Sequence, residues 1–121
     1  MKEKILSIIL LIAVISFVVV NTVMLSREID EITDAVSSFM PSEENAEAKA
    51  TVLYDDFMKK EKYMSITVSH DDLTSIEDCF VEMIGFISIG DTKNAAVTKS
   101  RLISYLKHLR RLAGFNIDAI I

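Results

Sequence analysis

One cysteine, one proline, three glycines and no tryptophan are all that this chain of 121 residues contains of those four types, and each scarcity removes a class of protein. A lone Cys79 permits no internal disulfide, so a domain outside the cytoplasm has to be held together by packing. Cys79 also falls within an apolar helical pattern, where a small thiol is more often buried than bridged to another chain. With so little Gly and Pro there is no flexible tether, low-complexity segment or internal repeat.

Catalytic patterns are missing too. No serine sits in a G-x-S-x-G elbow, no glycine-rich loop could cradle a phosphate, and Cys79 has no suitable histidine partner in sequence. The expectation is a non-enzymatic protein with no catalytic, cofactor-binding or metal-binding residues and no cofactor. No period-2 run with hairpin signals marks a strand.

What the chain does have is an uncharged run over residues 5–25, rich in Ile, Leu and Val. As a helix it is about 31 Å long, the thickness of a bilayer's hydrocarbon core. Ser7, Ser16 and Thr22 can bond back to helix carbonyls, and Asn21 lies near the far end, within reach of headgroups. Lys2 and Lys4 precede the run, while beyond it a single Arg27 is followed by Glu28, Asp30, Glu31 and Asp34. Basic residues are retained on the cytoplasmic side, so the pattern predicts a single-pass cell-membrane protein with its N-terminus inside and the C-terminal domain outside. A cleaved signal peptide is the competing reading. It normally has a shorter apolar region followed by a small-x-small site, and residues 23–26 offer no good one.

Beyond the run, 96 residues allow one small domain. Residues 26–121 carry 11 basic and 17 acidic side chains, a net charge of −6 that argues against nucleic acid and anionic lipid as partners. Leu25, Ile29, Ile32, Val36 and Phe39 recur at spacings of four and three, predicting a stalk that Pro41 ends. A second helix is expected over residues 42–68, with Ala46, Ala50, Leu53, Phe57 and Met64 on one stripe. Ser69-His70-Asp71-Asp72 has the form of a capping box for a third helix, whose stripe is Leu73, Ile76, Phe80, Met83, Ile84 and Ile87 and whose stop is Gly90. Asp91 or Thr92 can cap a fourth helix bearing Ala95, Leu102, Ile103, Leu106, Leu109 and Leu112, with Lys107, His108, Arg110 and Arg111 in its last turns and Gly114 closing it.

The fold expected is therefore all-α: an N-terminal transmembrane helix followed by a small antiparallel bundle of three to four helices. Residues 1–25 form the anchor, 26–40 a helical stalk and 41–121 an extracytoplasmic bundle. The core should contain Phe57, Phe80, Ile84, Leu102, Leu106 and Leu109.

Residues 53–121, together with the N-terminal span, resemble a family of small membrane-anchored bacterial proteins catalogued as domain of unknown function 4363. The marks are Phe57 near the middle of the first long helix, the Ser69-His70-Asp71-Asp72 turn followed by Ile76, the Gly90-Asp91 break, and Asn116-Ile117 near the end. The family pattern usually has tryptophan where Phe57 stands, and the chain departs from it there. The resemblance implies a membrane-anchored helical protein and carries no activity, cofactor or site.

Two groups look reactive. His70 beside Asp71 and Asp72 could bind a divalent metal, but adjacent helical residues point in different directions and His108 is the one other histidine, so a helix cap is the better reading. Glu77, Asp78 and Glu82 read as a solvated acidic face, and the six methionines as core filler. The function expected is protein–protein association at the outer face of the cytoplasmic membrane, through the stalk seam and the apolar tail Phe115, Ile117, Ile120 and Ile121; the equally open alternative is that both segments fold against the bundle, the stalk as a fourth helix and the tail as a cap. The alternative is a ligand-sensing extracytoplasmic domain acting through a separate signalling partner. A pilin-like subunit is disfavoured, because no processing glycine precedes the apolar run.

Overall fold

The computed structural model describes residues 1–64 and 69–120, the side chains of Tyr63 and of residues 114–120 excepted. Four helices follow in order, α1 (Lys2–Ser38), α2 (Ala46–Met64), α3 (His70–Ser88) and α4 (Thr92–Ile120), with no strand among the described residues. Neighbours in the chain pack together and α4 returns to α1, so the helices close a ring in which diagonal pairs stay apart. Short connections make consecutive helices antiparallel.

Helix α1 has two halves of different character and no break between them. Its first half is exposed nearly all round, with Leu10 at 66% and Phe17 at 73% of their full accessibility. This is the one helix among the described residues that is long and apolar enough to cross a membrane. In the second half the apolar residues retreat to one stripe, and Leu25, Ile29, Ile32 and Val36 are buried, as is Phe39 just beyond the helix. They join a single core with Ala50, Phe57, Met64, Leu73, Ile76, Phe80, Met83, Leu102, Leu106 and Leu109. Residues 26–40, for which the sequence left open a stalk with a free seam or a fourth helix of the bundle, are thus its fourth wall. Spacing of four and three serves a neighbouring helix equally well whether it belongs to another chain or to this one.

Aromatic packing ties α2 to α3. Phe57 stacks on Phe80 with ring centroids 5.5 Å apart, and Tyr54 meets Phe80 at 5.8 Å in a tilted arrangement. Five of the six expected core residues are fully buried; Ile84 is half-buried at the margin. Leu112, expected on the apolar stripe of α4, is instead 38% exposed.

Helix ends follow local chemistry closely at one corner and less so elsewhere. Phe39 leaves α1 in an extended conformation, consistent with Pro41 two residues on. Helix α2 then starts at Ala46, four residues later than expected. Glu43 does not open the helix but holds the turn, accepting from the Met40 N–H at 3.3 Å and from Lys49 Nζ at 3.1 Å, and Asn45 takes the left-handed conformation (φ 60°) that precedes the first helical turn. The expected end of α2 near Val68 lies outside the described residues. Ser69 occupies the N-cap of α3, yet its hydroxyl makes no capping bond, so the proposed capping box does not close. Between α3 and α4, Gly90 has φ 78°; its N–H donates to the Ile87 carbonyl at 3.0 Å and the Asp91 N–H to the Phe86 carbonyl at 2.9 Å, the paired bonds of a Schellman stop. Asp91 then caps α4, accepting from the Asn94 N–H at 3.1 Å. Gly114 does not close α4, which continues to Ile120.

Candidate functional site

The residues that looked reactive are dispersed. His70 and Asp71, both exposed, and the half-buried Asp72 occupy the first turn of α3, where Thr74 and Ser75 hydroxyls donate to the His70 and Asp71 carbonyls at 2.9 and 3.1 Å. No group of three or more His, Cys, Asp or Glu with metal-site geometry occurs among the described residues. His108 lies exposed on α4. The acidic stretch on α3 divides between two neighbours: Glu82 pairs with Arg101 of α4, while Glu77 faces α2. Burial pushes the Tyr54 hydroxyl up, and the negative charge of Glu77 adds to the shift. Partial burial likewise raises the Glu61 carboxyl, with Glu77 reinforcing it and His70 opposing it.

Cys79 is free and buried. Burial raises its thiol, outweighing the hydrogen bond and charge of Arg101, so the thiolate that a nucleophile needs is disfavoured.

Two surface depressions were not legible in the sequence, because each depends on which helices become neighbours. The first is an open groove of about 440 Å³ between the end of α1 and the start of α2, with Ala35, Phe39, Ala48, Val52 and Leu53 on its walls and Glu43 and Lys49 at its rim. Small Ala35 and Ala48 leave the gap, and Val52 remains 62% exposed. The second, about 370 Å³, lies where α1 enters the bundle and is lined by Val23, Ser26, Arg27, Asp30, Glu31, Asp34 and Arg110. Ser26 is buried there, and its hydroxyl has no partner among the described residues.

Two ion pairs and one hydrogen bond mark the relative height of the helices. Arg110 Nε meets Asp30 Oδ1 at 3.1 Å, Lys60 Nζ meets Glu31 Oε2 at 3.3 Å, and Lys99 Nζ donates to the Ser37 carbonyl at 3.2 Å. Each contributes little to stability in water, but together they record the register of α2 and α4 against α1. Comparison with family models, with curated proteins and with solved structures returned no match. The family resemblance therefore rests on the sequence marks that carry it.

Proposed function

We propose that this chain is a non-enzymatic, membrane-anchored helical module that mediates protein–protein association at the outer face of the cytoplasmic membrane. One observation supports the reading: α1 passes without a joint from an apolar, exposed half into the core of a bundle, an arrangement suited to holding a bundle at a membrane surface. The basic residues at Lys2 and Lys4 favour an N-terminus inside, and the family resemblance implies a membrane-anchored helical protein. Because the α1 seam is consumed internally, association has to use another surface. The groove beside Val52 is the best supported, since its walls are almost entirely apolar while its rim is charged.

A photoreactive residue at Val52 in the full-length chain, irradiated in native membranes, should trap a second polypeptide. If only unlinked chain is recovered, the association reading fails. A ligand-sensing domain is favoured instead if a small apolar molecule, drawn from a metabolite panel, raises the melting temperature by several degrees and the rise is lost in Val52→Glu. The same groove supports that reading, being large enough for a small ligand.

A further inference from the structure

Helix α4 does not end where its pairing with α1 is pinned. Arg110 faces Asp30, and Lys99 reaches the carbonyl of Ser37, so the two helices run antiparallel. The helix then continues to Ile120, ten positions past Arg110, about 15 Å of further rise. Continued in the same register, the end of α4 is level with about Val20 of α1, inside the uncharged run that ends at residue 25. Burial along α1 agrees independently. The helix is exposed through Phe17, Val18, Val19 and Asn21 are half-buried, and Thr22 is only 5% accessible. A lone shaft could not shield those residues. Helix α4 is the described backbone that reaches their level; Lys60 of α2 faces Glu31, and the described part of α2 stops at Met64.

We propose that the last two turns of α4 are a second, non-spanning contact with the bilayer, seated in the outer interfacial layer beside the point where α1 emerges, with phospholipid as the ligand. This rests on the reading that α1 spans the membrane. Charge order supports lipid over protein. Arg27 and Arg111 are exposed just above this level, where headgroup phosphates lie, and the sequence of α4 then turns to Phe115, Ile117, Ala119 and Ile120. Basic residues followed by apolar ones match the order in which a helix entering from water meets phosphate and then acyl chain. The contact has to be shallow. The last carbonyls of a helix have no partner within it and need water or headgroups, and Asp118 tolerates only the interface.

The test uses the full-length chain carrying Cys79→Ala and one added cysteine labelled with an environment-sensitive fluorophore, in vesicles of phosphatidylcholine and phosphatidylglycerol. Label positions are Phe115→Cys and Ala119→Cys, with Val14→Cys in the apolar half of α1 and Ile89→Cys in the loop before α4 as references. Nitroxide-bearing lipids quench at known depths. The Val14 label should be quenched best by nitroxide near the chain terminus. Labels at 115 and 119 should be blue-shifted and quenched best by nitroxide near the ester, and the Ile89 label should remain unquenched. Two label positions, each checked for native helicity by circular dichroism, guard against a local disruption. If the Val14 label is quenched while those at 115 and 119 behave like the Ile89 label, the span survives and the lipid contact does not. Blue-shifted but unquenched emission at 115 and 119 would mean they pack on protein, which also overturns the proposal. An unquenched Val14 label overturns the span and the contact together.

Discussion

At the scale of single residues, the two described glycines that differ most in backbone make opposite predictions from equal space. A Cβ added at Gly85 or at Gly90 would meet nothing within 4 Å. Gly85 is an exposed helical residue of α3, so Gly85→Ala should stabilise by about 0.5–1 kcal/mol through lost backbone entropy in the unfolded chain. Gly90 stands at φ 78°, and Gly90→Ala should destabilise by about 1–2 kcal/mol. Thermal melts of the full-length chain in detergent should separate the pair by several degrees in opposite senses. Glu61 gives a pH-dependent case. Its folded-state affinity for a proton is raised, so its contribution to stability is full below the ordinary carboxylate range and is lost as pH rises through the raised value. Glu61→Gln should therefore raise the melting temperature slightly at neutral pH and leave it unchanged in acid; an equal effect at both would refute the assignment.

Among the elements, α1 decides between the two readings that the sequence left open, a free seam or a fourth wall of the bundle. The sequence reading placed the bundle in residues 41–121, yet Ile29 and Val36 are completely buried in the shared core, and removing their helix opens that core along its length. Residues 22–121 should unfold cooperatively in denaturant, whereas 42–121 should show a broad transition and exposed apolar surface by dye binding. The reason one boundary was legible and another not is physical. Gly90 and Asp91 act through bonds to residues within five positions, so the α3–α4 corner can be read from the sequence there. Whether Leu25, Ile29 and Ile32 face a partner or their own bundle depends on a return of α4 some eighty positions away, which no local pattern encodes. Gly114 shows the converse: a local stop signal of about 1 kcal/mol is too weak to end a helix that has α1 alongside. The candidate surfaces were hidden for the same reason, since the groove walled by Ala35 and Ala48 exists only once α1 and α2 are adjacent.

For the whole molecule, topology is the quantity on which the proposed function depends. A reporter active only outside the cytoplasm, fused after Ile121, should be active, and the chain should remain with membranes after an alkaline wash; release into the medium would mean that the apolar run is cleaved. The unbroken course of α1 has a further consequence for such an anchored chain. A helix whose apolar length exceeds the local hydrocarbon thickness leans, and one in a thicker bilayer stands upright. With no hinge between residue 2 and residue 38, that lean cannot be absorbed below the bundle, so the attitude of the whole headpiece becomes a readout of bilayer thickness, and a groove facing a neighbour in one membrane domain is turned away from it in another.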